Sequence, residues 1–115
     1  MIEEGQIVLL RFPQTNMEEG KLRPALVIRK VPGEYDDWLI CMISSRLHQK
    51  HIELDEIIGP EDKDFRDSGL KTTSVIRTSR LAVIEREILL GKLGNISSLR
   101  LQRIKENITK WILEA

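Results

Sequence analysis

Short apolar runs broken by polar, glycine- and proline-bearing segments fill the first three-quarters of the chain, and the last stretch changes period. Residues 6–12, QIVLLRF, are apolar with β-branched members and predict a first strand. The segment PQTNMEEGKLRP is bounded by prolines and rich in polar residues, so it reads as a loop. Pro24 to Lys30 predicts a second strand, opened by a proline because a residue without an N–H suits a strand's first position. VPGEYDD is turn material, and Trp38 to Ser44, WLICMIS, is the third and most hydrophobic strand. In HIELD, Ile52 and Leu54 alternate with polar neighbours, the pattern of a short half-buried fourth strand. Glu56 to Lys71 reads as a long charged loop. TTSVIRTSRLAVIE then resumes strand character, with a break or bend near Ser79.

Leu101, Ile104, Ile108, Trp111 and Ile112 recur at three- and four-residue steps and so share one helical stripe. Ser97 or Ser98 supplies the N-cap, its hydroxyl satisfying an otherwise orphaned N–H. Five or six short strands followed by one amphipathic helix give a mainly β fold. The expectation is a small barrel or strongly curled sheet with the C-terminal helix over one open side. No internal repeat or low-complexity segment interrupts it.

Composition narrows the class. The 115 residues make one domain, 1–115, with 41% hydrophobic and 31% charged residues, the profile of a globular protein. No apolar run approaches the ~20 residues that span a bilayer. MIEEGQIVLL carries two glutamates and no basic flank, so it is not a signal peptide. The single cysteine, Cys41, cannot form an intrachain disulfide and sits in an apolar run, as a small core residue of a cytoplasmic protein does. Lys and Arg number 18 against 18 Asp and Glu. Any anion site must therefore arise by local clustering: EYDD and LDEIIGPEDKDFRD are acidic, while RLHQK and SVIRTSR are basic.

The order of EGQIVLLRF, GKLRPALVI, ICMISSR, TTSVIRTSRLAVIERE and LGKLGNISSLRLQRIKENITKWI resembles the MazF/PemK family of toxins from toxin–antitoxin systems. The most distinctive piece is the Gly-x-x-Arg-Pro turn that opens the second strand. The resemblance implies an SH3-like small barrel of the MazF/PemK/CcdB type and a homodimer. It implies sequence-specific cleavage of single-stranded RNA with neither metal nor cofactor, and a small antitoxin whose tail blocks the RNA groove. Carried over by position, the catalytic arginine falls on Arg23 and the catalytic hydroxyl on Ser44, with Ser45 adjoining it. The family's Ser-Glu-Gln-Gly loop stands here as MEEGKLRP, which keeps Glu19 and lacks the serine and glutamine.

That chemistry suits these residue types. Metal-free cleavage sends a ribose 2′-OH against the neighbouring phosphorus and builds charge on the phosphoryl oxygens, where fixed donors lower the barrier most. A guanidinium offers two parallel N–H bonds and stays ionised, and Pro24 restricts Arg23 to extended geometry. Ser44 donates to the same phosphate from the end of the third strand. Glu19 or His48 is the candidate base. Arg46, Lys50, Lys71 and Arg77 are candidates to track the RNA backbone, with Pro24 and Ser45 beside the site and Tyr35 as a base-stacking platform. His48 and His51 offer two ligands where zinc needs four, so no metal site is expected. The terminal helix stripe reads as core or dimer packing, and Trp38 and Trp111 read as core and not as RNA-stacking platforms. There is no phosphate-binding glycine loop and no Ser-His-Asp order. The rivals are a gyrase-targeting CcdB-like protein on the same barrel and a non-catalytic nucleic-acid binder.

Overall fold

The computed structural model describes residues 2–11, 21–50 and 54–114. Glu19, His51, Ile52 and most of the first long loop lie outside them. Among the described residues six strands form one antiparallel sheet: β1 (Gln6–Arg11), β2 (Leu22–Lys30), β3 (Asp37–Ser44), β4 (Glu56–Ile58), β5 (Ser74–Glu85) and β6 (Gly91–Asn95). Their order is β4-β5-β3-β2-β1-β6, and the sheet curls into a half-barrel. Register shifts at Ile7/Val8, Val27/Arg29 and Cys41/Met42 supply the bends, since each unpaired residue tightens the local twist.

Strand alternation gives the sheet two apolar faces. Ile7, Leu26, Ile28, Cys41, Ile43, Ile58 and Ile76 point to one, where Ile96, Ile104 and Ile108 complete a buried cluster. Val8, Leu10, Ala25, Val27, Trp38 and Ile40 form a second cluster on the other, flanked by Met42, Ala82, Ile84 and Leu89. The register agrees: Ile7 pairs with Leu26 and Leu26 with Cys41, while Val8 pairs with Ala25 and Val27 with Ile40.

Helix α2 (Ser98–Leu113) covers the first face. Of the two candidate serines Ser97 is the cap, its Oγ accepting from the Arg100 N–H at 3.1 Å. The stripe is only partly core. Ile104 and Ile108 are buried and Leu101 packs against them, but Trp111 is 51% exposed, Ile112 62% and Leu113 78%. The expectation that Trp111 belongs to the core is therefore corrected: periodicity selects a side of the helix, and the sheet's apolar face does not extend under the last turn. Among the described residues no helix is long and apolar enough to cross a membrane.

Strand boundaries move. β2 begins at Leu22, so Pro24 lies inside the strand and pairs with Leu9. The fourth strand is Glu56–Ile58 and not HIELD, whose residues 51–53 lie outside the described part; Ile58 is the buried member and Ile57 faces outward. The expected charged loop thus contains β4 and a short helix, α1 (Phe65–Ser68). The break near Ser79 is a bulge: Cys41 pairs with Leu81 and Met42 with Arg77, so Thr78, Ser79 and Arg80 face no partner on β3. Thr78 Oγ1 donates to the Leu54 carbonyl. The Asp55 carboxylate accepts from the Ser79 N–H at 2.9 Å and its hydroxyl at 3.0 Å.

Arg100 pins α2 to the segment carrying β4 and α1. Its guanidinium donates to Asp64 at 2.8 and 3.2 Å and to Glu56 at 3.0 Å, with Asp62 at 3.5 Å. Arg103 donates to both Glu56 oxygens at 2.8 Å. Burial alone would raise the Asp64 carboxyl; the bonds from Arg100 and the Ser97 N–H outweigh it and hold the group below its ordinary value. Gly69 caps α1 in the left-handed region (φ 74°), and Gly94 meets that turn backbone to backbone. A Cβ on Gly94 would stand 2.0 Å from the Asp67 carbonyl oxygen.

Candidate active site

Arg23 and Ser44 stand on one face, at the ends of β2 and β3 beyond the point where the ladder between these strands stops. Arg23 pairs with Leu10, which is buried on the face away from α2. Ser44 pairs with Val75, and two residues back Met42, packed on the same face, pairs with Arg77. The β2–β3 ladder stops at Ala25–Met42. Carried on by two residues, its register would set Arg23 opposite Ser44. The next residue of β2 is Pro24, which has no N–H to give a ladder.

The result is a fork between β2 and β3 with each arm held on its outer side. Pairing with β1 continues through Pro24 and Arg23 to Leu22, and pairing with β5 continues to Ser44. Two functional groups thus stand on separate arms over a shared apolar floor of Leu10, Ala25 and Met42. That backing limits their freedom before any ligand arrives.

Arg23 is half-buried and forms no hydrogen bond or ion pair with another described residue. Ser44 Oγ accepts from the Arg46 N–H at 3.0 Å, a local turn that closes β3. With its lone pair so engaged, the hydroxyl still has its proton to donate. Ser45 is exposed beside it and makes no comparable bond.

The other sequence-derived candidates divide. Arg46 and His48 are exposed just past Ser44, His48 within a 3₁₀ turn (Leu47–Gln49), and Lys50 follows half-buried. Lys71 is exposed in the lead-in to β5. All four stay at the Ser44 end of β3 and the start of β5. Tyr35 does not join them. It is exposed in the β2–β3 turn, which the seven residue steps of β2 from Arg23 to Lys30 carry roughly 23 Å from the fork. Glu19 lies outside the described residues.

The neutral overall charge hides a segregation. Glu56, Asp62 and Asp64, from the most acidic stretch of the chain, are engaged by Arg100 and Arg103 on the helix side of the sheet. The cations at the fork are on the other side, away from those carboxylates. This network was not visible in the sequence, because Arg100 and Asp64 stand 36 positions apart with no motif joining them.

A cleft of about 440 Å³ lies elsewhere, lined by Ile2, Gln6, Val8, Arg86, Leu89 and Lys92 among others. Among the described residues no group of three or more His, Cys, Asp or Glu side chains is placed to hold a metal ion.

The family model of the PemK-like, MazF-like toxins of type II toxin–antitoxin systems matches residues 3–112, nearly the whole chain and every element above. No curated protein matches at a significant level. The chain belongs to the PemK-like, MazF-like family and is the toxin half of a type II toxin–antitoxin pair, with a cognate antitoxin as its partner.

Proposed function

We propose that this toxin is a metal-independent endoribonuclease that cuts single-stranded RNA at particular sequences. The observation that carries this reading is the fork, whose register sets a guanidinium with no partner among the described residues and a proton-bearing hydroxyl on two arms that share one face. A ribose 2′-OH attacks the adjacent phosphorus, the bond to the 5′-oxygen breaks, and the products are a 2′,3′-cyclic phosphate and a 5′-hydroxyl. Arg23 and Ser44 stabilise the charge gathering on the phosphoryl oxygens. Fixed donors act most strongly there because they need no reorganisation as the charge appears. Arg23 stays charged throughout and works electrostatically. His48, close past Ser44, and Glu19 are the candidates for the base that takes the 2′ proton. The protein acts as a homodimer in the cytoplasm, and the antitoxin silences it by covering the rim.

The test is incubation of the purified protein with a long single-stranded RNA in EDTA. Discrete cuts with cyclic-phosphate ends are expected. Arg23→Ala should lower the rate on the order of a hundredfold or more at unchanged circular dichroism. An Arg23→Ala variant as fast as the wild type would remove the mechanism. Retardation of the RNA without cutting would instead favour a binding protein on this scaffold.

A further inference from the structure

A cleft lies beside the fork, on the same face of the sheet. Lys92 pairs with Val8, Val8 with Ala25 and Ala25 with Met42, so the four form one row across β6, β1, β2 and β3. The next row toward the fork carries Leu10 and Arg23. Lys92 therefore shares a face with Arg23, two strands and one row away. With strands ~4.8 Å apart and ~6.7 Å between same-face residues, the two Cα atoms lie about 12 Å apart. Lys92 and Val8 both line the cleft of about 440 Å³. Leu89, another lining residue, packs on the apolar cluster that contains Leu10 and Ala25. Ser44, Arg23 and Lys92 follow in order across β3, β2 and β6, so a strand held at the fork runs on over Leu10 and Val8 to the cleft.

We propose that this cleft is a nucleotide subsite: it seats an unpaired base of the RNA beside the fork, while Lys92 meets that nucleotide's phosphate. This rests on the nuclease reading above and adds a base-holding site that the reading does not contain. Val8, Leu89 and Leu90 make the walls apolar, and Leu90 is 57% exposed, so a base laid against it takes apolar surface out of water. Lys92 is exposed and forms no hydrogen bond or ion pair with another described residue. Its ammonium is a compact charge for a phosphate. Arg86, also in the lining, stands 3.8 Å from Asp36 and is partly neutralised there. Glu87 adds a carboxylate, which accepts from the amine of a base and repels a bare anion. A free phosphate would match the lysine but neither the leucines nor Glu87. A nucleotide matches all of them.

The experiment follows the anisotropy of a fluorescent, fully 2′-O-methylated single-stranded RNA of mixed sequence across a salt series. The strand has no nucleophile and survives binding. Lys92→Ala should weaken binding about tenfold or more, the loss expected for a charge-assisted hydrogen bond. The slope of log K against log[salt] should become shallower by ~0.7, the value of one phosphate contact on a single strand. Leu90→Ser, which removes an apolar wall and no charge, should weaken binding about threefold or more at an unchanged slope. Lys92→Arg should restore the slope, and it serves as the folded control if the alanine variant is unstable. Lys110→Ala, on the last turn of α2, removes a 78% exposed cation outside the cleft and should change neither quantity. Equal effects of Lys92→Ala and Lys110→Ala would reduce the result to overall charge and overturn the proposal. Wild-type affinity in Lys92→Ala or in Leu90→Ser overturns it too. A wild type that binds the methylated strand without cutting natural RNA fails the nuclease reading alone, since affinities and slopes still decide the role of the cleft. No binding by the wild type sinks both.

Discussion

Removing the guanidinium of Arg100 isolates the contribution of the ion network behind the sheet. Arg100→Met keeps the aliphatic stem and the helix propensity while deleting every donor. Three carboxylates lose a partner, but not equally. Glu56 retains both bonds from Arg103, and Asp62, whose side chain is 32% exposed, turns to water. Asp64, at 8%, is left with the Ser97 N–H alone. Breaking a buried pair costs about 3–5 kcal/mol. With two of the three acids satisfied elsewhere, the low end, about 3 kcal/mol, is expected. That is a large share of the roughly 5–15 kcal/mol that holds a domain together. For a urea m-value of ~1.3 kcal/mol/M, the unfolding midpoint should fall by about 2 M. The pH dependence carries a sign. In the wild type the Asp64 carboxyl is held below its ordinary value, so its stabilisation is complete above about pH 4 and fades as pH falls through the folded-state value. In Arg100→Met burial remains without the guanidinium, so the carboxyl shifts up and protonation relieves the variant. The gap between the two proteins should therefore narrow from pH 7 to pH 4, and adding Asp64→Leu should recover most of the loss. A loss under about 1 kcal/mol at pH 7, or a gap indifferent to pH, would refute this account of the network.

Two further outcomes follow from packing. Gly94→Ala should lose several kcal/mol or fail to fold, because the new carbon meets the Asp67 carbonyl at 2.0 Å, whereas Gly91→Ala meets only a side-chain carbon at 4.0 Å and should stay within about 1 kcal/mol of the wild type. Urea midpoints for the pair decide it, and equal values would remove the close approach as a constraint. Burial, then the nearby Asp55 charge, push the Cys41 thiol far above its ordinary value. A thiol reagent should accordingly label it only in denaturant, and stoichiometric labelling of the native protein at neutral pH would contradict the buried position.

What could be read without coordinates tracks what is local. β1, β3 and α2 were legible because their apolar period extends over a whole element; the Arg-Pro pair was legible as a short motif, but it lies inside β2 and not in a turn that opens it. β4 was misplaced by alternation: HIELD mimics a half-buried strand better than Glu56–Ile58, where two isoleucines stand side by side and only pairing with β5 sends one inward. The exposure of Trp111 was hidden because a helical stripe carries no record of how far the sheet reaches beneath it. That Arg23 and Ser44 share one face and one end of the sheet depends on the register of two strands joined through a distant turn. Arg77 joins them only because Met42, and not Cys41, is its partner across the bulge.

A pair of strands that stops exchanging hydrogen bonds where its chemistry begins behaves like tweezers, with a clamped handle and separable tips. The handle, from Ala25 and Met42 back toward the far turn, should protect its amides from solvent deuterium as part of global unfolding. The tips at Arg23 and Ser44 lack each other as ladder partners and should exchange sooner along their inner edges. Whatever closes the tips, whether a nucleic acid threaded between them or the antitoxin laid across them, would register as slowed exchange there while the handle stays as it was.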